Sequence, residues 1–154
     1  MSPSDLEQHI LTAIPLARAM DMRIDSYVNR ELRLRAPLAP NRNDKGCAFG
    51  GSLTGLLTLA GWGSAVLALG SAGAGAEIYV QDSSVRYLAP VWEDIVVVAW
   101  LDVADAGAEF IQTYGTRGRA RASIQAECRL ADGTVAATLA ARFVAIDPMR
   151  RRPA

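Results

Sequence analysis

Residues 41–69 read NRNDKGCAFGGSLTGLLTLAGWGSAVLAL, a glycine-rich loop running into one uncharged segment. From Ser52 to Leu69 no side chain carries a formal charge, and Leu, Ala, Val and Trp lie all round the helical wheel. A helix that is apolar on every side is either a core helix or a membrane span. Gly55, Gly61 and Gly63 inside the run, with no basic cluster beside it, favour the core helix. Gly50 and Gly51 at its start let a ligand approach the backbone closely. The first amides of a helix lack intrahelical partners and favour negative charge. The stretch therefore predicts a buried rod whose N-terminal end stabilises an anion.

The elements on either side must cover that rod. Upstream, Asp5 to Ile14 predicts a short helix with Ser4 as N-cap and Glu7 at capping-box spacing. Pro15 ends it or starts the next turn. Met22 to Val28 reads as a strand, Asn29-Arg30 as a turn, and Glu31 to Leu38 as a second strand. In the latter, Leu32, Leu34, Ala36 and Leu38 face in, and Glu31, Arg33 and Arg35 face out.

Downstream, 70–76 (GSAGAGA) stops the helix. Strands are predicted at Glu77–Tyr87, Asp94–Val103, Arg119–Leu130 and Thr134–Ile146, with a hairpin turn at Asp132-Gly133. Ile95 to Ala99 is apolar on both faces and so belongs in the middle of a sheet. Residues 104–118 lack a strand period and form either a short helix around Glu109 to Tyr114 or a loop over the site. Residues 149–154 are a basic tail, expected to fray. With no βαβ repeat, the expectation is one α+β domain over 1–154: an antiparallel six-stranded sheet wrapped around one long central helix. A second subunit is expected to complete the cover.

Composition narrows the function. Sixteen basic and sixteen acidic residues cancel, so no bulk field points to nucleic acid. One histidine, His9, and two distant cysteines, Cys47 and Cys128, cannot build a usual zinc site. Two cysteines are no disulfide framework and suit a reducing compartment. No Walker loop or redox fingerprint is present, so no cofactor is expected. The N-terminus carries acids early and no long apolar core, which is no secretory signal; a cytoplasmic location is expected.

The loop resembles a hotdog thioesterase signature, Asn-x-x-Gly-x-x-His-Gly-Gly. Here it stands as Asn43, Gly46, Phe49, Gly50 and Gly51, with Phe49 at the histidine position. PLAPNRNDKGCAFGGSL, then LAGWG and VRYLAPV, is similar to the YiiD C-terminal, thioesterase-like family across nearly the whole chain. The resemblance implies the hotdog fold. It also implies acyl thioesters of coenzyme A or acyl carrier protein as substrates, with phosphopantetheine brought by the substrate. A homodimer or dimer of dimers, with sites shared between subunits, is implied as well. Some members resemble malonyl-acyl carrier protein decarboxylases that supply acetyl starters for fatty acid synthesis.

The candidate chemistry follows. Gly51 and Ser52 backbone amides form an oxyanion hole, and Asn43 donates an uncharged amide to the same oxygen. Asn41 suits a turn-capping role. Thr58 stands where related thioesterases carry a helix carboxylate; its hydroxyl can hold a water but cannot act as a general base. Glu77 is the acid that would serve from either subunit, and Asp82 or Arg86 would pair across a dimer seam. Gly50, Phe49 and Leu53 line the acyl site. Arg117 and Arg119, with Arg121, would hold phosphates or an acidic carrier; Arg33 and Arg35 form a second patch. Cys47 has no histidine partner in sequence to make it a nucleophile.

Hydrolysis needs an activated water or a nucleophile, and the loop and helix supply neither. Decarboxylation of a malonyl thioester needs only a hole for the enolate oxygen and an apolar place for the carboxylate. The sequence therefore predicts malonyl-thioester decarboxylation first. Acyl-thioester hydrolysis and a non-catalytic acyl-thioester-binding module are the alternatives.

Overall fold

The computed structural model describes residues 1–102 and 106–150. Helices are α1 (Pro3–Ala13), α2 (Pro15–Ala19), α3 (Gly50–Leu69) and α4 (Ala106–Arg117). Strands are β1 (Arg23–Val28), β2 (Glu31–Ala36), β3 (Glu77–Tyr87), β4 (Ile95–Leu101), β5 (Arg119–Arg129) and β6 (Val135–Ile146). They form one antiparallel sheet in the order β1-β2-β4-β5-β6-β3. α3, about 30 Å long, lies on its inner face and packs against five of the six strands. This is the hotdog arrangement that the sequence implies.

The glycines of α3 are explained by this packing. A Cβ at Gly61 would come 2.9 Å from the Phe143 ring, and one at Gly63 would come 2.7 Å from Leu32. Both sites let the helix backbone sit down on sheet side chains. By length and composition α3 could cross a membrane, yet half of its apolar window is buried in the single chain. Leu53, Leu56, Leu57, Ala60 and Leu69 face the core. The other half is what a second copy would have to cover.

β4 is central, as its two-sided apolar character requires, with Ile95, Val97, Val98 and Ala99 buried. β3 is an edge strand with a bulge between Val80 and Asp82. The bulge inverts the alternation, so Ile78 and Val80, then Ser83, Val85 and Tyr87, oppose the inward residues of β6. Glu77, Tyr79, Asp82 and Arg86 point outward.

Several boundaries differ from the sequence reading. The N-cap of α1 is Ser2, not Ser4, and the capping box closes with Asp5 rather than Glu7. Pro3 takes the first helical position, where its missing N–H costs nothing. Glu7 instead accepts from Ile24 N at 2.5 Å, tying α1 to β1. Residues 106–117 form a full helix, longer than the one around Glu109. Of the expected frayed tail, Arg150 is anchored on the Thr116 and Gly115 carbonyls; residues 151–154, like Val103 of the predicted fourth strand, lie outside the described residues. Asn29 and Arg30 both have positive φ, the two-residue turn that β-hairpin twist favours. His9 is exposed and stacks at 6.2 Å on Trp62.

Candidate active site

Residues 41–49 fold as a miniature hairpin. Phe49 N donates to Asn41 O at 2.7 Å, Arg42 bridges Ala48, and Asn43 N donates to Cys47 O at 2.8 Å. Gly46 closes it at φ 94°, which only glycine adopts without strain. Ala48 N then donates to Val91 O at 2.8 Å. The two sequence strings carrying the family resemblance, AFGGS and RYLAPV, are thereby stitched side by side.

The hairpin delivers the chain into α3 with Phe49 as N-cap, one residue before the start expected at Gly51. Leu53 N is the first amide with an intrahelical partner, Phe49 O at 3.0 Å. Among the described residues the amides of Gly50, Gly51 and Ser52 have none. Two rings flank them. The Phe49 ring lies over Gly51, where an added Cβ would meet it at 2.3 Å, and the Tyr87 ring lies 3.5 Å from the corresponding point on Gly50. Beside them opens a cavity of about 330 Å³ walled by Ala48, Leu53, Leu88, Pro90 and Val91, with Tyr87 at its lip. Gly50 lines this apolar hollow, and the unpartnered amides of Gly51 and Ser52 follow it along the first turn; donors of this kind can stabilise a developing oxyanion.

A larger cavity, about 720 Å³, lies at the other end of α3 between Tyr27, Trp100 and Ile111. Helix carbonyls, not amides, point that way, so that end opposes an oxyanion. The amide end of the helix meets the smaller cavity.

The predicted residues divide. Gly50, Gly51, Ser52, Phe49 and Leu53 gather at the helix start. Asn43 is half-buried at the turn of the hairpin, where its side chain already works: Oδ1 accepts from Lys45 N at 2.9 Å and Nδ2 donates to Cys47 Sγ at 3.2 Å. It is therefore Asn43, not Asn41, that caps the turn. Asn41 is 1% exposed, and its Nδ2 donates to Met20 O at 2.9 Å and Pro37 O at 2.8 Å, pinning the hairpin to α2 and β2. Its Oδ1 has no partner among the described residues. Removing this amide strands two carbonyls, so Asn41→Ala is expected to lower stability by about 1–3 kcal/mol, read as a shift in the urea midpoint.

Thr58 is half-buried two turns into α3, its hydroxyl makes no hydrogen bond to a described residue, and it does not line the cavity. Glu77 is not brought to the loop. It starts β3 on the outer face, accepts from the Tyr79 hydroxyl at 3.0 Å, and lies ten residues, roughly 33 Å, from Tyr87. Arg117 and Arg119 are exposed at that same far end, where Arg119 and Glu77 both pair with Ile146. Arg121 donates to Gln81, Asp82 pairs with Arg142 within the chain, and Arg33 and Arg35 share Asp25. Cys128 is a core thiol, pushed up to about 11 by burial. Sequence reasoning missed Tyr87: its hydroxyl lies 2.5 Å from Thr54 Oγ1 and donates to Gly50 O at 3.3 Å. The signal was present in RYLAPV, an aromatic hydroxyl ending a strand beside the loop string.

A sheet wrapped on one helix whose amide end opens on an acyl-sized hollow defines a hotdog domain of the thioesterase superfamily. The chain belongs to the family described as "Putative thioesterase (yiiD_Cterm)", whose model matches residues 3–147. It is similar to a solved protein of unknown function from Chlorobaculum tepidum TLS, at 26% identity over 94% of each chain with TM-score 0.86. It is also similar to a "putative thioesterase" from Shewanella oneidensis, at 28% identity over 94% of this chain and 96% of that one, TM-score 0.80. A "Probable Thioesterase" from Pseudomonas aeruginosa matches at 28% identity with the same coverage and TM-score 0.77.

Proposed function

We propose that this protein decarboxylates malonyl thioesters, with malonyl-acyl carrier protein as substrate and acetyl-acyl carrier protein as product. The observation that supports this is a helix start with three free amides, whose first residue, Gly50, lines a hollow that no carboxylate, imidazole or thiol lines among the described residues. The thioester oxygen sits on the Gly51 and Ser52 amides, and Asn43 Nδ2 turns from Cys47 to join them. The malonyl carboxylate lies against Phe49 and Leu53, poorly solvated. Loss of carbon dioxide then moves charge onto the oxygen that the amides already face. Such a substrate places the protein in the cytoplasm.

The names of the relatives favour hydrolysis as the second reading. It requires a base that no described residue brings to the cavity, so in that reading a partner subunit provides it. One incubation with malonyl-acyl carrier protein, read by mass spectrometry, separates the cases. Carbon dioxide loss with the thioester intact is expected. Free carrier thiol indicates the hydrolase; binding without turnover indicates a non-catalytic acyl-thioester-binding module. If an acidic carrier docks on Arg117 and Arg119, the rate falls as salt is raised.

The working unit in this proposal is a homodimer, or a pair of such dimers, joined along β3. That edge is eleven residues long, with Tyr79, Val80 and Tyr87 each about half exposed, an aggregation-prone surface unless covered. Light scattering is expected to give at least a dimer, and Val80→Lys, a charge on the inner face of the edge, is expected to give monomer with activity lost.

A further inference from the structure

We infer that Tyr87 is a catalytic residue, the acid that protonates the enolate carbon; this rests on the decarboxylation reading above. That reading leaves one step without an agent. When the bond between the methylene and carboxylate carbons breaks, its electron pair passes to the thioester oxygen and carbon dioxide leaves. The pair must then return to form a carbon–hydrogen bond, and a proton must come from somewhere.

Of the residues around the cavity, Tyr87 alone has a side-chain proton to give; the rest are glycine, alanine, proline, leucine and valine. Its hydroxyl is placed for it. The donated bond to Gly50 O, in the first turn of α3, is long at 3.3 Å and so weakly held. The contact with Thr54 Oγ1 is short at 2.5 Å. When Tyr87 donates to the Gly50 carbonyl, Thr54 is the donor in that pair. The tyrosine proton is then held at the first turn of α3, on the wall of the cavity, and a second hydroxyl stands behind it. On transfer, the tyrosine proton goes to carbon and the tyrosine oxygen takes the Thr54 proton. Thr54 in turn takes one from solvent. The sum is malonyl thioester plus a proton giving acetyl thioester plus carbon dioxide, with nothing oxidised or reduced.

The position also explains a pairing the loop alone does not. Tyr87 follows the bulge of β3, and the bulge is what turns it to the inner face. Were Gln81 paired in regular register instead of bulged, Tyr87 would fall on Arg86's present face and the cavity would hold no acid.

The test compares wild type with Tyr87→Phe on malonyl-acyl carrier protein, with ¹³C-labelled carbon dioxide present. Decarboxylation turnover and exchange of label into the malonyl carboxyl are followed separately. General-acid removal is expected to lower kcat about a hundredfold, with KM within about twofold. A longer-lived enolate recaptures carbon dioxide, so the ratio of label exchange to turnover rises. A structural role would lower both rates together and leave the ratio where it was. Thr54→Val, which keeps the tyrosine, is expected to give a smaller fall in kcat with the same rise in ratio. It decides the matter if Tyr87→Phe melts unlike wild type.

A wild type that decarboxylates while both variants keep its kcat or its ratio overturns the tyrosine assignment alone. A wild type that frees carrier thiol and no carbon dioxide overturns the decarboxylation reading, and the proton-donor role with it.

Discussion

Asn43→Asp is expected to lose 10²- to 10³-fold in kcat, the usual cost of one oxyanion-hole donor, while melting within a few degrees of wild type. The substitution is chosen because the asparagine has two jobs on two atoms. Oδ1 closes the turn by accepting from Lys45 N, and aspartate retains that acceptor. Nδ2 is the donor that the mechanism uses, and aspartate replaces it with a second acceptor. An ionised carboxylate would also repel the developing enolate oxygen. Activity of the variant should therefore rise as pH falls toward about 4, where an aspartate carboxyl gains a proton it can donate. Asn43→Ala removes both functions and cannot separate them. If Asn43→Asp is folded and fully active, the asparagine only shapes the loop, and the amides of Gly51 and Ser52 carry the oxyanion unaided.

Phe143→Ala should produce the largest loss of stability, at the upper end of the usual 3–5 kcal/mol for a buried phenylalanine. For a chain of this size that is a fall in Tm on the order of 10 °C. Phe143 is fully buried on β6, between Ala122 on β5 and Val80 on β3. Its ring rests on α3 at Gly61. Two of its neighbours, Gly61 and Ala122, are too small to fill the gap, so much of the cavity stays open. The reverse change, Gly61→Ala, gains helix propensity of about 1 kcal/mol. It drives a Cβ to 2.9 Å from the ring, and overpacking of this kind typically costs 1–3 kcal/mol. Combining it with Phe143→Leu should cost less than the two changes summed, because the smaller side chain relieves the contact. Thermal melts of the four proteins read this directly; strict additivity would mean helix and ring do not touch in solution.

The strands were legible because each is long enough to show its period. Glu31 to Ala36 and Arg119 to Arg129 alternate cleanly, and observed burial follows them residue by residue. The start of α1 was misread because two capping boxes overlap in SPSDLE, and only the proline at the first helical position distinguishes them. The turn-capping role was read onto Asn41, whereas Asn43 makes the capping bond and Asn41 is buried. Both suit a turn, and which side chain is buried depends on Met20 and Pro37, which approach only in the folded chain.

Sequence alone determined the uncharged rod, its glycine-bearing amide end and the antiparallel sheet that covers it, since these depend on local composition and short periods. Only the tertiary structure decided which groups meet at that end. It set Tyr87 against Gly50 and Thr54 and left Glu77 on the far side of the sheet. One bulged residue in β3 sets which face each side chain takes, and pairing with β6, not the local pattern of β3, reveals it.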